Sequence, residues 1–194
     1  MSFADTPTLE NADVRLEPLA LEHAADLADG SADGEIWRTW YTRIPRPDEM
    51  EAEIEARLAQ QRAGSMAPWA VVDPSSGRAV GMTTFCSIDE PNRRLEIGHT
   101  WIRRTAQGTR VNPAAKRVLL ARAFEDLGCH AVELRTDWFN RQSRAAIARL
   151  GAKQDGVLRR HRIMPAGYVR DTVVFSILDS EWPGVKLGLD ARLA

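Results

Sequence analysis

The alternation of apolar and polar positions divides the chain into short strands and helices separated by turn residues. "VRLEPL", Val14 to Leu19, alternates with the period of a strand. "LEHAADLADG" predicts a short helix stopped by Gly30, and "GEIWRTWY" is aromatic and helix-like. The clearest amphipathic helix is "PDEMEAEIEARLAQQRAG". Met50, Ile54 and Leu58 recur every fourth position, Pro47 sits near the start, acidic residues fill the first turns and Gly64 ends it. "MAPWAVVD" and "RAVGMTTFCSID" flank the turn "PSSG" and predict a hairpin, and "RRLEIGHTWIRR" adds a third strand.

A loop follows, then a helix, "PAAKRVLLARAFEDLG", ending at Gly128. "AVELRTDW" places Val132, Leu134, Thr136 and Trp138 on one face of a strand and Glu133, Arg135 and Asp137 on the other. "RQSRAAIARLG" predicts a short helix closed by Gly151. "VLRRHRIMPAGYVRDTVVFSIL" predicts a second hairpin turning at "PAGY". The tail from Asp179 has no clear pattern. The order is a strand, two or three helices, an antiparallel meander, then strand, helix, strand, helix and a hairpin. That is a mixed α+β layout around one sheet. Its central strand-loop-helix-strand unit is the natural place for a ligand.

A length of 194 residues suits one domain, and 44% hydrophobic with 27% charged residues is ordinary for a globular protein. A net charge of -1 argues against a general nucleic-acid binder. No apolar run approaches the roughly 20 residues of a membrane span, and the start "MSFADTPTLENADV" has no signal-like basic and apolar regions. A cytoplasmic protein with no membrane partner is expected. Cys86 and Cys129 form no CxxC pair and predict buried free thiols in a reducing compartment. His23, His99, His130 and His161 lack metal-ligand spacing, so no metal is expected.

The loop "RRTAQGTRVNPAAKR", Arg103 to Arg117, carries the most specific chemistry. Asn112 reads as the N-cap of the next helix and Pro113 as its first residue. Gly108 lets the backbone approach a ligand, and first-turn amides with the helix dipole favour an anion. Arg103, Arg104, Arg110, Lys116 and Arg117 surround it with positive charge. A capped surface helix with solvated arginines would read the same way. No Walker string and no G-x-G-x-x-G string is present.

In order, the strand "EIGHTWIRR", the loop "QGTRVNPAAK", the helix "RVLLARAFEDLG", the strand "VELRTDWFN" and "NRQSRAAIARLGA" resemble the GNAT acetyltransferase superfamily, within it the RimJ/RimL-like N-acetyltransferases. The resemblance runs from about Val14 to Leu178. It implies a mostly antiparallel twisted sheet of about seven strands flanked by helices, in a domain of residues 13–180 between an N-terminal extension, 1–12, and a C-terminal tail, 181–194. It implies acetyl-CoA as cosubstrate and a primary amine, a protein N-terminus or a small molecule, as acceptor. The family's Q/R-x-x-G-x-G/A loop maps to Gln107, Gly108, Thr109, Arg110, Val111 and Asn112, with Arg110 and Asn112 replacing the two family glycines. The N-x-x-S segment followed by L-G maps to Asn140, Ser143, Leu150 and Gly151, with Arg144 beside it. Asn140 is implied to bond the pantetheine arm and Ser143 to lie near the thioester sulfur. Many members carry a tyrosine acid where this chain has Ile147, which leaves Ser143 as the substitute acid.

An amine must lose a proton to attack a thioester. Glu96 is the first candidate base. Alternation places Glu96, Gly98, Thr100 and Ile102 on one face, and Leu95, Ile97 and Trp101 with His99 on the other; a bulge would reverse part of this. Glu96 is equally readable as a strand glutamate paired with Arg93, Arg94 or Arg135. His99, on the apolar face, reads as a core histidine before a base, and Asp137 is a weaker candidate. The resemblance implies backbone amides around Trp101 and Ile102 as oxyanion donors, with the pantetheine lying beside that strand end like an added strand. Trp37, Trp40 and Tyr41 are candidates to line the acceptor pocket, or they are core. "LRRHR", Leu158 to Arg162, steers an anion or is a solvated strand face. The altered glycines and absent tyrosine leave open a non-catalytic acyl-CoA-binding or regulatory domain, and a third reading is an interaction module with tryptophans at an oligomer interface. A homodimer involving the tail after Asp179 is the partner arrangement considered.

Overall fold

The structure, a computed structural model, describes residues 2–164 and 167–194; Pro165 and Ala166 of the expected "PAGY" turn lie outside the described residues. The strands are β1 (Leu9–Asn11), β2 (Val14–Pro18), β3 (Ala67–Val72), β4 (Ala79–Asp89), β5 (Arg94–Ile102), β6 (Ala131–Asp137), β7 (Lys153–Ile163) and β8 (Val169–Leu178). They form one sheet in the order β1-β2-β3-β4-β5-β6-β8-β7. Each neighbouring pair is antiparallel except β5 with β6, which is parallel. The sheet therefore has eight strands rather than about seven. The addition is β1, paired Leu9 to Leu16 across a turn in which the Asn11 side chain accepts from the amides of Asp13 and Val14.

Among the described residues five α-helices cover the two faces: α1 (Ala24–Ala32), α2 (Met50–Arg62), α3 (Val111–Ala121), α4 (Arg141–Ala148) and α5 (Trp182–Leu193). Alternation in the strands feeds two cores. On one face Leu16, Trp69, Phe85, Ile97, Val132 and Phe175 pack with Leu119 of α3, Ile147 of α4 and Leu189 of α5. On the other, Ala70, Met82 and Trp101 pack with Leu27 of α1 and with Met50 and Ile54 of α2. Leu58, the third position of the α2 stripe, is partly buried against that second core. Cys86 and Cys129 are buried and unpaired, and burial pushes their thiols up to about 12 and about 11, so both are inert at neutral pH.

Two segments differ from their expected forms. "GEIWRTWY" is not a continuous helix. A 3-10 segment, Asp33–Arg38, is kinked where Gly34 and Glu35 take φ of 68° and 50°. The Asp33 carboxylate accepts from the amide and hydroxyl of Thr105 at 2.9 and 2.8 Å and pairs with Arg103 at 3.2 Å, which ties the chain down before a helix can continue. The patternless tail is helix α5. Trp182 stacks on Phe124 with ring centroids 5.5 Å apart and donates to Glu125 at 2.9 Å. Gly184 and Gly188 interrupt its apolar spacing, which is why periodicity misses it. At the other end Phe3 is buried in the first core and Trp69 donates to the Pro7 carbonyl. Residues on both sides of 13–180 thus share its core.

β4 and β5 approach very closely where Gly81 faces Ile102: a methyl group on Gly81 would lie 2.1 Å from the Trp101 carbonyl oxygen. Backbone cannot give way there as a flexible side chain would. Gly81→Ala is expected to destabilise the fold by about 1–3 kcal/mol. The denaturant midpoint checks this, and an unchanged midpoint would mean that the two strands are not packed as described.

Candidate active site

The parallel pairing of β5 with β6 covers only Arg94 with Ala131, Leu95 with Val132 and Glu96 with Glu133. Beyond it each strand follows its outer neighbour. β4 holds β5 as far as Ile102, and β8 holds β6 as far as Asp137. The right-handed twist then carries the two strands apart. Residues 97–102 and 134–137 face an open wedge whose edges are unpaired backbone, with the loop before α3 at its end and α4 beside it.

A bulge sits on the wedge side. Thr84 pairs with Gly98 and Met82 with Trp101, so His99 and Thr100 together oppose Thr83 alone, and His99 takes φ of 48°. The bulge overturns the simple alternation. Leu95, Ile97 and Ile102 face the α3 side, whereas Trp101 joins the α1–α2 core beside Gly30. Thr100 also turns toward α3, where Lys116 donates to its hydroxyl at 2.8 Å and reaches the Thr83 hydroxyl at 3.4 Å. Thr83 and Thr100 bond each other at 2.8 Å. Lys116 is buried, and no carboxylate pairs with it among the described residues. Burial pulls its pKa down to about 7.

Glu96 stays on the face of Gly98. A methyl on Gly98 would meet Cys86 Sγ at 2.8 Å and Glu96 Oε1 at 3.0 Å, so glycine makes room for the carboxylate. Glu96 accepts from Ser87 Oγ at 3.1 Å and lies 3.7 Å from Arg135 Nε. Arg135 is engaged mainly by Glu133, at 2.7 and 3.0 Å, and Glu133 also takes Arg94 at 2.5 Å. Burial raises the Glu96 pKa above the ordinary carboxylate value, against the opposing pull of Arg135 and Ser87. His99 is not a core histidine. It is exposed at the bulge; the protein atoms around it, with Arg57 adding to them, push its pKa down to about 4. Asp137 is buried, accepting the Tyr168 hydroxyl and, at 2.8 Å, the Phe139 amide.

Of the three acceptor-pocket candidates, two reach this region. Trp40 packs on Tyr41 with centroids 5.4 Å apart, and also on Phe139 at 5.4 Å and Tyr168 at 5.1 Å. Trp37 does not join them; Arg38 and Arg46 stack on it at 4.9 and 4.7 Å. Phe139 and Tyr168 were missed from sequence. Phe139 could have been found as the neighbour of Asn140, but Tyr168 comes from the far side of the second hairpin and carries no local signal. Within "LRRHR", Arg159 pairs with Asp171, and His161 bonds Thr172 at 3.1 Å.

At the loop, Asn112 is not the N-cap. Helix α3 begins at Val111 with Arg110 as its cap residue, because the Thr109 hydroxyl accepts the Val111 amide and the Arg110 carbonyl already takes the Ala114 amide at 2.9 Å. Pro113 is still within the first turn, where a missing N–H costs nothing. Gly108 has φ of 78° and open space around it. The amides of Gly108, Thr109 and Arg110 make no hydrogen bond among the described residues. The Asn112 side-chain oxygen is buried and without a partner. Three free consecutive amides at a helix start and an unsatisfied buried amide side chain fit a diphosphate. The charges are mostly engaged elsewhere: Arg110 pairs with Asp13 at 3.2 Å, Arg103 with Asp33 and Arg117 with Asp190. Arg104 remains exposed on the loop, 3.4 Å from Gln107 Oε1. Gln107 donates to the Ile102 carbonyl at 2.9 Å, which fastens the loop to the end of β5.

Across the wedge Asn140 caps α4, its oxygen accepting the Ser143 amide at 2.9 Å. The Ser143 hydroxyl has no partner among the described residues, and Ile147 is buried in the core, so no acid stands at that position. Arg144 stacks on Trp138 at 4.1 Å. A cavity of about 910 Å³ lies elsewhere, between the N-terminal segment and Gln61, Arg62 and Arg122. It holds none of these groups; the wedge is an open cleft rather than an enclosed cavity.

Parallel strands that splay, a bulge on one of them and a loop of free amides at the next helix together make up the candidate site. The family model described as an acetyltransferase (GNAT) domain matches residues 13–153. The chain belongs to the GNAT acetyltransferase family and is an acyltransferase. It is 34% identical over 110 residues to a putative ribosomal N-acetyltransferase, YdaF, of Bacillus subtilis (strain 168), a match spanning 57% of this chain and 59% of that protein. The crystal structure of a putative acetyltransferase from T. thermophilus is 34% identical, with a TM-score of 0.87, covering 99% of this chain and 100% of that one. Mycobacterium smegmatis RimJ, in complex with CoA-disulfide, shares the fold at 21% identity and a TM-score of 0.85 over 99% of this chain and 97% of that one. No helix among the described residues is long and apolar enough to cross a membrane.

Lys116 gives a test of the buried pin under the bulge. Its folded pKa, about 7, lies below the ordinary lysine value of 10.5, so between them the unfolded chain binds more protons and stability rises with pH. From about pH 7 to about pH 9, where the unfolded thiols begin to titrate, that rise is expected in the wild type and absent in Lys116→Met. Denaturation midpoints measured across the range check it.

Proposed function

We propose that this enzyme transfers an acetyl group from acetyl-CoA to a primary amine, with Glu96 taking the proton the amine loses. The observation that carries the reading is a half-buried carboxylate of raised pKa on the face of the wedge, with Gly98 leaving space beside it. A carboxylate so placed is a better proton acceptor than a solvated one, because burial disfavours its charged form.

Bound acetyl-CoA supplies an activated thioester. The diphosphate fits the free amides of Gly108, Thr109 and Arg110, with Val111 and Asn112 opening the helix behind them. The β5 edge around Trp101 and Ile102, where the Ile102 carbonyl is taken by Gln107, offers backbone amides to the pantetheine arm and to the acetyl oxygen. Asn140 retains its side-chain N–H₂ after capping α4, available to the same arm; Arg144, on the next turn, adds positive charge. Gln107 holds the loop in register with the strand end. The amine enters past Trp40 and Tyr41, gives its proton to Glu96 directly or through water, and forms the amide bond as the carbon–sulfur bond breaks. The Ser143 hydroxyl is free to donate to the departing thiolate. A soluble amine or a protein N-terminus satisfies this chemistry equally, and a cytoplasmic setting suits both.

Thiol release with acetyl-CoA and a panel of amines tests the reading. Glu96→Gln is expected to lower kcat about 100-fold while leaving the acetyl-CoA dissociation constant within about twofold. In the wild type the acidic limb of the kcat/KM profile is expected above the ordinary carboxylate value of 4.5, since Glu96 must be ionised to act and burial raises its pKa. An unchanged rate in Glu96→Gln removes Glu96 from the mechanism. Asn112→Asp puts negative charge beside the diphosphate and is expected to weaken acetyl-CoA binding about 10-fold, read by calorimetry. Unchanged binding contradicts the placement of the loop.

A further inference from the structure

On the face that carries Glu96, the principal contacts of α1 and α2 are with β3 and β4. The half built from β6, β8 and β7 is left to polar side chains. Asp137 opposes Thr172 across β6 and β8, and two residues along β8 on the same face Arg170 opposes Arg162 of β7. Like charges directly opposite one another in an antiparallel pair are destabilising. Asp137, ion-paired with Arg170 at 3.8 Å, relieves them only in part. Arg162 has no hydrogen bond or ion pair among the described residues. Arg170 Nε is buried without a hydrogen bond, and its nearest carboxylate oxygen, Asp137 Oδ2, is 3.8 Å away.

The carboxylates of this face are already committed. Glu133 holds Arg94 and Arg135, Asp137 takes the Tyr168 hydroxyl and the Phe139 amide, and Glu96 takes Ser87. Two guanidiniums with unused donors therefore stand together beside the aromatic mouth formed by Trp40 and Tyr168. His161, between them and Thr172, feels the same field: burial first, then Arg162, Arg135 and Arg170, hold its pKa below the ordinary value.

We propose that Arg162 and Arg170 form a carboxylate-binding site at the acceptor mouth, so that the preferred amine acceptor carries a carboxylate a few bonds from its attacking nitrogen. The proposal rests on the amine-acetyltransferase reading above and adds the class of acceptor. A planar fork of donors matches a carboxylate; Arg162 has no partner to give up, and the partly buried Arg170 keeps unused donors beside its 3.8 Å pairing with Asp137. Polycationic amines are disfavoured by the same two charges. The carboxylate belongs either to a free amino acid or to an acidic residue near the N-terminus of a peptide.

The test compares acceptors that differ only in that group. One arm uses free glutamate against glutamine; the other uses hexapeptides with Asp against Asn at the second position. The protein with acetyl-CoA is expected to prefer the carboxylate acceptor by about 10- to 100-fold in kcat/KM in at least one arm, and the arm identifies the source. In Arg162→Gln, a change at an exposed strand position, the preference is expected to collapse toward one, and likewise in Arg170→Gln. Equal use of carboxylate and amide acceptors, or a preference unchanged in both variants, overturns the proposal. Calorimetric binding of the same acceptors to the CoA-loaded protein separates it from the parent reading. Carboxylate-dependent binding lost in the variants supports the site even without thiol release, whereas equal binding overturns it. Absence of thiol release from every amine overturns acetyl transfer instead.

Discussion

The short parallel pairing between β5 and β6 is the constraint on which the rest depends. Three residue pairs hold the strands together, ending at Glu96 and Glu133. Past that point β4 and β8 pull them in different directions. Backbone groups left unpaired inside a sheet are costly unless water or a ligand satisfies them. The wedge is therefore a gap that the fold keeps open and that an extended, hydrogen-bonding arm can fill. It also sets the positions of everything nearby: the free amides before α3 lie at its far end, Asn140 and Ser143 on one side, and Glu96 at its apex.

The bulge at His99 and Thr100 refines this geometry. By inserting one extra residue it sends Trp101 into the α1–α2 core and Thr100 toward α3. Lys116 then fixes the bulge from below with two threonine hydroxyls and, among the described residues, no carboxylate. A buried lysine bonded only to hydroxyls is a poor contributor to stability, since burial disfavours its charge. Its reach to both strands of the bulge gives it a positional role: it holds the register that leaves Glu96 and Gly98 on the opposite face of the sheet from α3. The loss of stability falls at the place where chemistry needs a defined backbone.

Much of the fold was legible because strand and helix periods differ. The alternation in "AVELRTDW" placed Glu133, Arg135 and Asp137 together on the face they occupy, and the stripe of Met50, Ile54 and Leu58 faces the second core. Periodicity failed where its premise failed. A positive φ at His99 breaks the period of two, and no residue in "GHTW" announces it. Asn112-Pro113 looks like a cap and first residue, but the Thr109 hydroxyl starts the helix earlier. In α5 two glycines hide a helix that buries Trp182 and Leu189. The aromatic mouth was half legible: Trp40 and Tyr41 are close in sequence, whereas Tyr168 arrives through the β7–β8 hairpin, a contact that only the sheet order brings about.

Amide hydrogen exchange with and without CoA tests the central claim most directly, because the wedge is defined by which backbone groups lack partners. CoA is predicted to slow exchange at Gly108, Thr109 and Arg110 and along residues 97–102 of β5, while β3, already paired on both sides, is unaffected. Saturating CoA with no protection in those two segments, or with protection confined to the cavity lined by Ser2, Asp5 and Gln61, would contradict the account.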